Sequence, residues 1–278
     1  MKSTFKTIVL LALSPMVLQA QDGGTNEGNE NSGGRSRGDL KVIGLTSDKR
    51  LICFNESSPE RAFNIGTVSG LVTDTALVGI DYRVQNGKLY GVGNAGGVYT
   101  LDTGNAAATL VNRLTVALTG TSFGVDFNPV ADRLRIVGDD GQNLRHNVNV
   151  GGVTLVDGAL NYTPGTPAAG ITGAAYTNND LAPATATTLY NIDTTLDQVT
   201  LQSPPNNGSL AATGKLSVDS TSSAGFDIYS SIRDTATVNI EALASLTAAN
   251  GFISLYSINL PTGKATLRGT FNNCMNRR

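Results

Sequence analysis

The chain has 278 residues, with 20 Lys and Arg against 22 Asp and Glu, a formal net charge of −2 and one histidine. Charged residues make up only 15%, well below the usual quarter, and no basic cluster could track a phosphate backbone, which excludes nucleic acid as an expected partner. Thirty-two glycines point to tight turns and small side chains, hence an all-β design, and the absence of tryptophan weakens a sugar-stacking site.

Lys2 and Lys6 precede an apolar run from Ile8 to Leu18, and Ala20 offers a small residue for cleavage. That is the layout of a secretory signal peptide over residues 1–20, too short to span a bilayer as a helix. The mature protein is therefore expected to be secreted, with no membrane span. Losing two lysines and no acid moves its charge to 18 − 22 = −4. Residues 21–39 hold no large apolar side chain and are expected to form a disordered Gly/Asn-rich tail. Arg37-Gly38-Asp39 at its end is read as a chance tripeptide.

One folded domain is expected over residues 40–275. A short strand ending in Asp or Asn occurs five times: 51-LICFN-55, 98-VYTLD-102, 145-RHNVN-149, 189-LYNID-193 and 255-LYSIN-259. The terminal residues fall 47, 47, 44 and 66 apart, the fourth copy can instead align with the preceding strand of its unit, and the last interval has room for an insertion near residues 231–250. A second element repeats around Gly79, Gly124, Gly173 and Gly225, spaced 45, 49 and 52. Units of this length, each a meander of short strands, predict a β-propeller of about five blades. The first unit lacks an evident inner strand. A twisted β-sandwich is the alternative. Cys53 and Cys274 lie near opposite ends of the domain and in a secreted protein are expected to form a disulfide that ties the first blade to the last.

Side chains alternate along a strand, so Gly79 and Asp81 share one face of 77-LVGIDYR-83, as Gly124 and Asp126 share one face of 122-SFGVDFN-128. Gly225 and Asp227 repeat the arrangement, whereas 171-ITGAAYT-177 carries Ala175 in the aspartate's place. The large face of one inner strand is expected to pack on the glycine face of its neighbour. Asp81, Asp126 and Asp227 then allow two readings. Each latches local backbone N–H groups or an arginine such as Arg83, Arg133 or Arg135, or the three converge as hard oxygen ligands for Ca²⁺.

The chain is poor in catalytic groups. His146 aligns with Tyr99, Tyr190 and Tyr256 in other copies and is read as structural. The stretch 120-GTSFG-124 spells a nucleophile elbow but runs directly into a strand, without the helix that motif needs. No Cys/His cluster has zinc spacing and no phosphate loop is present. Asn55, Asn161 and Asn207 begin N-glycosylation sequons.

The blocks 42–55, 76–93, 123-FGVDFNPVADRLRIVGDDGQNLR-145, 174-AAYTNND-180 and 188–216 resemble a domain-of-unknown-function family. That family is widespread in secreted and surface-attached bacterial proteins and sporadic in eukaryotes. The resemblance covers about residues 40–272 and implies a propeller-like extracellular domain, without implying a reaction. The function expected is a secreted, non-enzymatic binding or adhesion-type propeller that engages an extracellular glycan, matrix component or surface protein. A calcium-assisted hydrolase or lyase built on the three aspartates is the alternative, and a secreted effector or elicitor a third.

Overall fold

A computed structural model of the chain describes residues 9–13 and 40–272. Five four-stranded antiparallel sheets follow one another along the sequence. The first contains β1 (Val9–Leu13), β2 (Lys41–Thr46), β3 (Arg50–Asn55) and β4 (Ser58–Thr67), and the second β5 (Leu77–Arg83), β6 (Lys88–Gly93), β7 (Gly97–Leu101) and β8 (Ala108–Arg113). The third holds β9 (Phe123–Asn128), β10 (Arg133–Gly138), β11 (Asn143–His146) and β12 (Thr154–Val156). A small ribbon, β13 (Asn161–Thr163) and β14 (Thr166–Pro167), precedes the fourth: β15 (Ile171–Tyr176), β16 (Leu189–Asp193), β17 (Gln198–Gln202) and β18 (Leu210–Lys215). The fifth is β19 (Ser220–Arg233), β20 (Ala236–Ala248), β21 (Ile253–Ile258) and β22 (Ala265–Thr270).

The first strands β1, β5, β9, β15 and β19 contact one another in a ring around a central axis. This is a five-bladed β-propeller, not a sandwich. Its apolar core is divided into five clusters, one at each blade-to-blade interface. Glycine makes the crowded hub possible. A Cβ on Gly124 would stand 2.5 Å from the backbone nitrogen of Ala174, and one on Gly173 2.8 Å from Cβ of Phe226. A Cβ on Gly79 would meet Val125 at 2.3 Å. Gly79 and Gly173 therefore receive the bulky Val125 and Phe226 of the next inner strand, as the alternation predicts, whereas Gly124 receives the backbone of Gly173 and Ala174.

Three expectations change in detail. The inner strand missing from the first unit is supplied by Val9–Leu13, from inside the expected signal peptide, which pairs antiparallel with β2. The fourth repeated segment, 189–193, is the second strand of its blade and not the third, because residues 177–188 form a long connection between β15 and β16. His146 does not occupy the tyrosine position. The register places Leu144 level with Tyr99 and Tyr256, and His146 level with Leu101 and Ile258. The turn-forming role at the end of the third strand falls accordingly to Asn147, whose Oδ1 accepts the Asn149 N–H at 3.1 Å. Asp102 does the same for Gly104 at 2.7 Å and Asn259 for Thr262 at 3.1 Å, the local bonding for which Asp and Asn suit turns.

The insertion near residues 231–250 lengthens β19 and β20 into a hairpin that extends past the other blades. Its two-residue turn, Asp234-Thr235, has both φ angles positive, the twist-compatible geometry for tight hairpins. The hairpin docks on the long connection of the fourth blade through Asp180, which accepts the Thr237 N–H at 2.8 Å and its hydroxyl at 2.6 Å. Among the described residues no helix is long and apolar enough to cross a membrane, and no disulfide forms. Cys53 is a half-buried free thiol. Its expected partner Cys274 lies outside the described residues, as do the expected tail at 21–39 and the tripeptide Arg37-Gly38-Asp39.

Candidate functional site

Asp81, Asp126 and Asp227 come from β5, β9 and β19, and all three reach the hub. They are 6%, 1% and 1% exposed, and each offers an oxygen lying within 4.8 Å of those of the other two. Among the described residues, the arginines expected as partners are engaged elsewhere. Arg83 binds Asp132 and, at 2.8 Å, Asn149. Arg135 is buried against Asp157 at 2.6 Å and Asn143 at 2.7 Å, and Arg133 donates to the carbonyls of Ala131 and Asp132.

The carboxylates are served by backbone instead, in a regular way. Asp81 Oδ2 accepts the N–H of Phe127, the residue after Asp126 on the next blade, at 2.7 Å. Asp126 Oδ1 accepts the N–H of Tyr176, the residue after Ala175 on the next blade, at 3.2 Å. Ala175 cannot continue the series, and the N–H it would have served, that of Ile228, is bonded at 2.6 Å by Asp227 of the same strand. Asp81 and Asp126 thus each satisfy a donor in the neighbouring blade, where an orphaned buried N–H would be costly.

Burial and the Asp227 charge push the Asp81 carboxyl well above the usual carboxylate range, against the lowering effect of its backbone N–H bonds. Burial and the Asp81 and Asp227 charges push Asp126 up in the same way. Three carboxylates so close in a low-dielectric hub cannot all be ionised unless a cation joins them. The hub holds protons or it holds a cation.

Above the aspartates, toward the N-terminal ends of the inner strands, the space narrows to about 10 Å³ between Gly79, Gly124, Gly173 and Phe226. It then opens into a cavity of about 200 Å³ at the channel mouth, lined by residues from all five blades. Thr46, Ser47, Thr121, Ser122, Thr172 and Ser223 bring hydroxyls, and Leu45, Leu77, Val78 and Phe123 an apolar surface. Thr121 donates to Asp139 at 2.5 Å and Thr46 to Asp48. A hydroxyl that donates to a carboxylate keeps lone pairs with which to accept from a ligand. Sequence reading passed over this ring. The signal for part of it is a hydroxyl residue three or four positions before the Asp or Ala of the inner strand: Ser122, Thr172 and Ser223.

Ser122 leads straight into β9, and His146 is engaged elsewhere, 3.0 Å from Thr154 Oγ1 and 3.0 Å from Asn112 Oδ1. The chain's one histidine is thus not turned to the serine of the G-x-S-x-G spelling. Of the sequon asparagines, Asn207 is exposed on a turn, Asn55 is half-buried at the end of β3, and Asn161 donates its amide to the Ala159 carbonyl at 2.7 Å. A second cavity, about 430 Å³, lies at the interface of the fourth and fifth blades between Thr177, Tyr190, Ile240 and Leu260.

No curated protein matches the chain. Among solved structures it is similar to an auxiliary nutrient binding protein from Bacteroides thetaiotaomicron VPI-5482 at 15% identity and a TM-score of 0.44, over 76% of this chain and 54% of that one. It is also similar to an auxiliary nutrient binding protein from Bacteroides ovatus ATCC 8483 at 12% identity and a TM-score of 0.43, over 76% and 55%. Saccharomyces cerevisiae Sqt1 matches at 12% identity and a TM-score of 0.38, over 83% and 59%. The chain spans less than two thirds of the length of each. One family covers most of the sequence, residues 50–277, and the chain belongs to it: Domain of unknown function (DUF4394).

Proposed function

We propose that the domain is a secreted, non-enzymatic binding propeller whose channel mouth takes the end of an extracellular glycan. The observation that carries this reading is the mouth itself. Six hydroxyl side chains and an apolar floor, contributed by all five blades, surround about 200 Å³. That combination suits a neutral polyhydroxylated ring, with hydroxyls exchanging hydrogen bonds and the C–H face resting on Leu77 and Phe123. The volume fits one sugar ring rather than a larger ligand. A glycan array followed by calorimetry tests the reading. A saccharide bound at micromolar concentration, and weakened about tenfold or more by Thr172→Val or Ser223→Ala, supports it. An array with no specific signal, or binding untouched by both substitutions, overturns it.

A second reading concerns the hub. Oxygens within 4.8 Å of one another fit a shared Ca²⁺, whose ligands stand about 2.3–2.6 Å from the ion. A carboxylate has about four lone-pair sites, so one backbone N–H leaves capacity for a metal. Asp81, Asp126 and Asp227 would hold the ion. The space above them, about 10 Å³, admits one water at most, so the ion's role is to neutralise and brace the hub, not to hydrolyse a substrate. A thermal midpoint that rises with calcium relative to chelator in the parent, and does not in Asp126→Asn/Asp227→Asn, supports this. Equal midpoints over a wide calcium range leave the carboxyls protonated and sink it.

A further inference from the structure

The first blade is the one blade whose inner strand is not continuous with the rest of its sheet. In the other four, the inner strand leads into the second strand of the same unit, whereas residues 14–40 separate β1 from β2. β1 lies wholly inside the segment expected to be cut away after Ala20. It pairs with β2 from Val9↔Thr46 to Leu13↔Val42 and lies between β5 and β19 in the ring.

Without β1, the inner edge of β2 would present a row of unpaired N–H and C=O groups to a slot one strand wide. The β2 side of that slot is apolar. Five of the six residues of β2 are buried, with Val42 in the cluster shared with the fifth blade and Ile43 and Leu45 in the cluster shared with the second. An unpaired edge in such a setting is a site for strand addition, in which backbone bonds give affinity and apolar walls choose the side chains. The remaining sequence offers no comparable strand. Residues 21–39 carry no large apolar side chain, and residues 273–278 read Asn-Cys-Met-Asn-Arg-Arg.

We propose that removal of the leader turns the inner position of the first blade into a strand-acceptor slot, and that the mature domain binds there an extended apolar peptide supplied by another chain. The ligand is a segment of about five residues, or roughly 17 Å, antiparallel to β2 and free of proline where β2 needs a donor. The seat that Val9–Leu13 takes shows what fits. The inference assumes a secreted, processed chain but not a glycan at the mouth, and its ligand is a peptide, so each reading can fail without the other.

The test begins from the full chain, folded, with a protease site placed within residues 21–39. Before cutting, a fluorescent peptide carrying Thr7–Ser14 should not bind. After cutting, the same peptide in excess should replace the leader fragment at one per domain, so that the slot is never left empty during exchange. A peptide with proline at the Leu11 position should compete at least about tenfold more weakly, and displacement of the fragment without a replacement should lower the thermal midpoint. Three results would overturn the proposal: a fragment that never exchanges, a fragment that leaves with no labelled peptide taken up, and equal competition by the proline peptide. Saccharide binding measured on the same cut protein reports the mouth separately.

Discussion

The interfaces between the second and third blades and between the third and fourth each carry a carboxylate bonded to backbone across the gap. The interface between the fourth and fifth carries Ala175, and there the receiving strand bonds its own N–H through Asp227. The glycine contacts are alike at all three interfaces, with built Cβ atoms 2.3, 2.5 and 2.8 Å from the neighbouring strand. Close packing is thus the constant requirement of the hub, and the carboxylate is one of two ways to satisfy a buried donor. Asp81 and Asp126 thus serve the blade they face, not the blade they come from.

The largest effect should come from the packing itself. Gly124→Ala puts a Cβ against a backbone nitrogen that cannot rotate away, and the loss should reach or exceed the top of the usual overpacking range of about 1–3 kcal/mol. Gly79→Ala meets the Val125 side chain, which can change rotamer, and should lose less. Equal losses in urea titrations would mean that the strands shift as freely as side chains and would erase the distinction.

Next in size is the latch. Asp126→Ala orphans the Tyr176 N–H and should cost about 1–3 kcal/mol. Asp126→Asn keeps an acceptor oxygen and removes a repelling charge, so in chelator at neutral pH it should be close to neutral or stabilising. Matching denaturation midpoints for the two variants would show that the bond to Tyr176 is not what the carboxylate provides. The reverse substitution, Ala175→Asp, supplies the missing acceptor but adds a fourth carboxyl to the hub. It should destabilise by a similar amount, about 1–3 kcal/mol in chelator, and gain more from calcium than the parent does, if the hub takes a cation. A variant as stable as the parent in chelator would show that the fourth interface tolerates the charge.

The smallest effect is a pH slope, with opposite contributions from two groups. Asp81 and Asp126 keep their protons to higher pH folded than unfolded. Their contribution is therefore flat below about 4 and falls as pH rises from there through their folded values. Burial pushes the His146 imidazole down from 6.5 to about 4, so its contribution is full above about 6.5 and is lost as pH falls toward 4. In chelator, His146→Gln should uncover the falling slope, and Asp81→Asn/Asp126→Asn should leave only the rising one. Melts across pH 4–7 that do not change in slope with either set would refute this assignment.

Much of this is legible in the sequence alone. The repeated glycines and aspartates sit at fixed offsets on period-two strands, so their shared face followed from alternation. The third-strand register of His146 was not legible, because short strands with irregular turns let an alignment slide by two residues without changing which face is apolar. Nor was the choice between arginine and backbone as partner of the aspartates. Arg83 shares a strand face with Asp81 and Arg135 stands opposite Asp126 in the register, yet their guanidinium groups go to Asp132 and Asp157. The ring of hydroxyls at the mouth draws on five separate units and has no spacing that a single segment could reveal.

By itself the sequence determined the all-β class, the number of repeat units and the residues that crowd the hub, because these depend on composition and on local periodicity. Only the tertiary structure decided which backbone donor each aspartate serves, that the three carboxylates meet, and that Val9–Leu13 takes the empty inner position. Those outcomes depend on closing the ring. Closure sets distances between strands tens of residues apart, and no local pattern encodes them.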